Sequence, residues 1–124
     1  MTSVLVIEGD ETVARFLFEV FSQQSWRADA PRTGTQVAGA LLSSTRYDLI
    51  TVSYRFTGAN GVDIISLIRE LEPRRDTPVL MITGDPAVTT DALAAGATEV
   101  LYKPIEPSEL TDAVISHTAL RIAS

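Results

Sequence analysis

Five short apolar runs, each followed by a polar turn and then by a stretch of helical periodicity, constrain this chain more than any other feature. Residues 3–7, 48–53, 77–83 and 99–102 carry β-branched and aliphatic side chains and read as strands, and 26–30, ended by Pro31, reads as a weak one. Between and after them, apolar residues recur at three and four positions. The first helical face is Val13, Phe16, Leu17, Val20 and Phe21 over 11–24, with Asp10 placed as its N-terminal cap. The second is Val37, Ala38, Leu41 and Leu42 over 35–44, and the third Val62, Ile65, Ile68 and Leu71 up to Pro73. An Ala-rich fourth helix opens at Asp85-Pro86 and ends near Gly96, and Leu110, Ala113, Val114 and His117 mark a fifth over 107–121.

Strands that are apolar along their whole length are buried on both faces, which requires a parallel sheet covered by helices on each side. The expected fold is a single α/β domain over 1–124, a flavodoxin-like (βα)5 unit whose five-stranded parallel sheet has the order 2-1-3-4-5. In such sheets the functional crevice lies outside the carboxyl ends of the strands, near the switch between strands 1 and 3. Glu8, Gly9, Asp10, Ser53, Thr83 and Lys103 fall there.

Composition narrows the chemistry. With 124 residues, 45% of them apolar, the chain has enough material for one core and not for two. Ten Lys and Arg against 16 Asp and Glu give a net charge of −6, which repels nucleic-acid phosphates and anionic lipid, so neither is an expected partner of this domain. There is no Cys, hence no disulfide, thiolate metal site or thiol chemistry. The opening residues show no export signal and no run is long enough to span a bilayer, so a cytoplasmic location is expected. Nine of the ten cations are Arg, and the sole Lys is Lys103.

The arrangement of motifs resembles a response-regulator receiver domain of two-component signalling, over nearly the whole chain. Val4-Leu-Val-Ile-Glu-Gly-Asp-Glu11, Tyr47-Asp-Leu-Ile-Thr-Val-Ser53, Gly58-Ala-Asn-Gly61, Pro78-Val-Leu-Met-Ile-Thr83, Ala95-Gly-Ala97 and Lys103-Pro104 stand in register with that family. The resemblance implies a phosphorelay role. Receivers accept a phosphoryl group on an Asp at the end of strand 3 and hold Mg²⁺ with that Asp and an acid pair after strand 1. The matching positions here are Ser53 and Glu8-Gly9. A carboxylate is ionised at neutral pH and attacks phosphorus directly, whereas a serine hydroxyl needs a base. A hard cation wants several oxygen ligands, and Gly9 supplies none from a side chain. Mg²⁺ binding is therefore expected to be weak or absent, with no other cofactor or metal.

Thr83 and Lys103 do match the family residues that contact the phosphoryl group after transfer, while the family's switch aromatic, three residues before the Lys, is Val100 here. Tyr102 is aromatic at a different offset on the same strand face. An ammonium in a crevice without a counter-charge is costly, so Lys103 is expected to pair with Glu8. The Lys103-Pro104 bond is expected to be cis by the same resemblance. A purely structural role is open to Thr83, Lys103 and Glu8 alike, and Asp48, Asp63, Arg74 and Arg75 read as solvated charges. His117 reads as a packed or half-exposed side chain.

The expected function is a phosphorylation-independent protein-interaction module rather than an enzyme. Its partner would be a sensor kinase, an effector domain or a second copy, engaged through helix 4, strand 5 and helix 5 with Leu93, Val100, Tyr102, Lys103 and Pro104. Helix 4 carries a single charge, Asp91, as a contact surface would. Two alternatives remain: a receiver phosphorylated by another route, such as at Ser53, and a flavodoxin-like binder of a small ligand. The acidic loop Glu8-Gly9-Asp10-Glu11 argues against the latter, since a phosphate-binding loop needs free backbone N–H groups and small residues.

Overall fold

The computed structural model describes residues 1–56 and 58–123, with side-chain surroundings through residue 119. The main sheet contains β1 (Ser3–Ile7), β2 (Arg27–Asp29), β3 (Leu49–Ser53), β4 (Val79–Thr83) and β5 (Glu99–Tyr102). All pairings within it are parallel, in the order β2-β1-β3-β4-β5, as the apolar strands required. The helices are α1 (Glu11–Gln23), α2 (Gly34–Leu42), α3 (Gly61–Glu70), α4 (Thr89–Ala95) and α5 (Pro107–Ala123). The chain is an α/β flavodoxin-like domain.

Every residue of β1, β3 and β4 is buried, and the alternation of side chains splits them between two layers. Leu5, Ile7, Ile50, Val52, Val79 and Met81 face Val37, Leu41, Ile65, Ile68 and Ala92 of α2, α3 and α4. Val4, Val6, Leu49, Leu80, Ile82 and Leu101 face Leu17, Phe21, Leu110 and Val114 of α1 and α5. Both layers are closed by helices, and the cap expected for α1 is present. Asp10 accepts from the Thr12 and Val13 N–H groups at the start of α1.

Local departures from the sequence reading have physical causes. Leu42 is 70% exposed and Ala38 is exposed, because α2 docks through Val37 and Leu41 and the next residues lie about 100° further round the helix. The fourth helix is not continuous from its cap. Pro86–Val88 forms a 3₁₀ turn, capped by Asp85 accepting from the Ala87 N–H at 2.9 Å, and α4 proper begins at Thr89. The loop after β3 contains a two-residue antiparallel hairpin, Arg55–Phe56 against Ala59–Asn60, while Thr57 lies outside the described residues. Asp48 is more than a surface charge, since it accepts from the Ser3 N–H at 2.8 Å and ties β3 to the start of β1.

Arg74 is the largest correction. Expected in a solvated loop, it is 3% exposed, because a 3₁₀ turn over Glu72–Arg74 folds it under the end of α2. The last carbonyls of a helix lack intrahelical partners and carry the negative end of its dipole. Arg74 satisfies that end by donating to Leu41 O at 3.0 Å, Ala40 O at 3.1 Å, Ser43 O at 2.9 Å and Thr45 O at 2.7 Å. Its guanidinium also lies 5.0 Å from the Tyr47 ring centroid. Arg69 makes a second such clamp, donating to Gly96 O and Thr77 O. Burial lowers the Arg69 pKa below its ordinary value, an effect opposed by Asp76.

Candidate functional site

The crevice sits where β1, β3, β4 and β5 end, and four of the expected residues meet around it. Glu8 follows β1 and only 2% of its side chain is exposed. Its Oε2 accepts from the Asp10 N–H at 3.0 Å, and its Oε1 lies 3.3 Å from Lys103 Nζ. The expected Lys103 to Glu8 ion pair is therefore present. It is a charge contact without hydrogen-bond alignment, because Oε1 is buried and has no hydrogen-bond partner. Lys103 is placed by the β4 to β5 register, its N–H donating to Thr83 O at 2.8 Å, and the Lys103-Pro104 peptide is cis.

Ser53 terminates β3 opposite Ile82 and is 3% exposed. Gly61 explains how it is covered. The hairpin folds the chain back so that the Gly61 N–H donates to Tyr54 O at 2.7 Å, and a Cβ at Gly61 would overlap the Ser53 carbonyl. Thr83, also 3% exposed, spends its hydroxyl as acceptor for the Asp85 N–H at 3.0 Å. Two small clefts flank Ser53 and Lys103. One, of about 240 Å³, is lined by Ser53, Arg55, Thr83, Asp85 and Lys103, and the other by Glu8, Gly9, Asp10, Ser53, Arg55 and Lys103.

Arg55 rims both clefts and was missed in the sequence, because nothing in a loop residue's surroundings along the chain announces the hairpin that aims it. Gly9 and Asp10 are exposed, and Asp10 is occupied with the α1 cap. No His lines either cleft. His117 lies instead on α5, its Nε2 2.6 Å from Glu99 Oε1. Among the described residues no group of three or more His, Cys, Asp or Glu side chains gathers as a metal-binding cluster. On the far side of Lys103, an apolar groove runs between Val13 and Phe16 of α1 and Pro104 and Ile105.

The residues expected at the switch and contact positions lie on the outer edge. Val100 is half-buried, Leu93 and Tyr102 are exposed, and the Tyr102 hydroxyl shares a hydrogen bond with the Thr89 hydroxyl. Tyr102 pairs in register with Thr83 across the sheet, which puts this contact directly beside the crevice.

A doubly wound parallel sheet with an acid after β1, hydroxyls ending β3 and β4 and a lysine after the edge strand β5 has the layout of the two-component receiver class. The family model for the response regulator receiver domain matches residues 4–115, and the chain belongs to that family. It is 31% identical over 109 residues to PetR of Rhodobacter capsulatus, covering 86% of this chain and 44% of that protein. It is 28% identical over 118 residues to the photosynthetic apparatus regulatory protein RegA of Rhodovulum sulfidophilum, covering 93% and 62%. The chain thus spans less than two thirds of the length of these relatives. Among solved structures, a response regulator from Chloroflexus aurantiacus superimposes with a TM-score of 0.88 at 25% identity, over 95% of this chain and 98% of the other. No helix among the described residues is long and apolar enough to cross a membrane.

Proposed function

We propose that this receiver domain signals by binding a protein partner and neither accepts a phosphoryl group on an aspartate nor holds Mg²⁺. The observation that carries this reading is Ser53 at the end of β3, buried to 3% exposure with no imidazole lining its clefts. Its hydroxyl lacks both the charge of a carboxylate and a base to remove its proton. The donor set does not fit a magnesium ion. Glu8 is engaged by Lys103 and the Asp10 N–H, Gly9 brings no side chain, Ser53 is neutral and Asp10 caps α1.

The domain is then not an enzyme. Its partner is a sensor kinase, an effector domain or a second copy, met through α4, β5 and α5 in the cytoplasm, with no role for nucleic acid at this domain. Modification of Ser53 itself is the less supported reading, since a kinase must reach a hydroxyl that is almost wholly covered. The test is intact mass after incubation with a small-molecule phosphodonor and Mg²⁺, beside a Gly9→Asp, Ser53→Asp variant. The expected outcome is no mass change in the natural chain and one phosphoryl group on the variant. A stable phosphoryl adduct on the natural chain overturns the proposal.

A further inference from the structure

We infer that the α4–β5–α5 face docks a partner presenting basic side chains around an apolar anchor, an inference that rests on the interaction-module reading above. Residues 84–120 contain Asp85, Asp91, Glu99, Glu106, Glu109 and Asp112, and their only Lys or Arg is Lys103. This segment, under a third of the chain, carries −5 of the total −6. Eight of the nine arginines precede it, where they nearly cancel the remaining acids, and the ninth, Arg121 near the end of α5, brings the total through the end of that helix to −4. Folding sharpens the asymmetry, because Lys103 turns inward to Glu8 while Asp91, Glu106, Glu109 and Asp112 are exposed and Glu99 exposes 43% of its side chain. Even with His117 protonated against Glu99, the segment stays at −4.

The same face has an apolar centre. Leu93 is 49% and Tyr102 41% exposed, and Leu93 lies one turn beyond Thr89, on the side of α4 whose hydroxyl meets Tyr102. The edge strand β5 is pinned on both flanks, to α4 by Thr89 with Tyr102 and to α5 by His117 with Glu99. An exposed aromatic and leucine on elements whose exposed charges are acidic match the usual anatomy of an interface, an apolar patch accompanied by polar groups. A two-fold contact between copies sets the same patch against itself, here acid against acid, and nucleic acid or anionic lipid is repelled likewise. A cationic protein surface is attracted and steered in.

The full chain, isotope-labelled, is titrated with three synthetic helical peptides: leucine with arginine, the same leucines with glutamate, and arginine with glutamine. The leucine–arginine peptide is expected to shift the amide resonances of Leu93, Val100, Tyr102 and the first turns of α5 and to bind more tightly than both controls. Its affinity is expected to fall about tenfold in a Glu109→Lys, Asp112→Lys variant and to weaken with added salt. No preference for that peptide, shifts centred elsewhere, or concentration-dependent dimerisation at low salt through Leu93 and Tyr102 overturns the inference. Peptides that bind this face without regard to charge leave the interaction-module reading standing, whereas phosphoryl gain by mass removes that reading whatever the peptides do.

Discussion

Lys103 Nζ stands 3.3 Å from a Glu8 carboxylate whose Oε1 is otherwise without a partner, at the carboxyl ends of the parallel strands. The two ends of this pair are unequal, with 31% of the Lys103 side chain exposed against 2% for Glu8. Loss of the lysine strands a buried carboxylate, whereas loss of the carboxylate leaves an ammonium able to turn toward water. Lys103→Met is therefore expected to destabilise by about 2 kcal/mol, discounted for partial exposure, and Glu8→Gln by less than about 1 kcal/mol. Urea denaturation of both variants and of the double variant checks this, and the double variant should lose less than the sum.

Arg74 carries four backbone carbonyls of the α2 end and the loop after it. Arg74→Ala is expected to cost about 2–3 kcal/mol, as buried carbonyls lose a charged donor, and Arg74→Lys to recover only part, since an ammonium cannot reproduce the planar fork. Arg75→Ala, at an exposed position, should stay within about 0.5 kcal/mol. Thermal unfolding of the three variants side by side gives the comparison.

Tyr47 predicts an alkaline limb. Desolvation, then its hydrogen bond to Asp29 at 2.7 Å, raises its pKa from 10.0 to about 12. The fold thus favours the neutral phenol, so this stability is whole below pH 10 and is lost as pH rises toward about 12. The melting temperature should fall through that window in the natural chain and fall less steeply in Tyr47→Phe. An ultraviolet titration in which Tyr47→Phe removes no phenol from the step near pH 12 would contradict the assignment.

Two glycines of the same chemical type should respond with opposite sign. Gly61→Ala drives a methyl group into the Ser53 carbonyl and is expected to cost about 1–3 kcal/mol or more. Gly39, inside α2 with nothing near its missing Cβ, is expected to gain about 0.5–1 kcal/mol as Ala. Denaturant midpoints of the two variants test the pair.

The strand and helix pattern was legible because periodicity records which side of each element meets the core. Val4 to Ile7 and Val79 to Ile82 are apolar throughout, and Leu49 to Val52 is apolar but for Thr51, because both faces of the sheet are covered, and that pattern calls for parallel strands under two helical layers. The site positions were legible too, since Glu8, Ser53, Thr83 and Lys103 each end a strand and parallel strands end on the same side. What only the tertiary structure decided is where unpaired polar groups find one another. Arg74 reads like Arg75 along the chain, yet one lies beneath α2 and the other in solvent, because helix ends offer carbonyls only after the elements have packed. Arg55 reaches the crevice through a hairpin too short to leave a pattern, and the Thr89 to Tyr102 contact exists because α4 packs against β5. Hydrophobic pattern is local and repeats, whereas a polar contact between distant residues depends on a meeting that no short stretch of chain encodes.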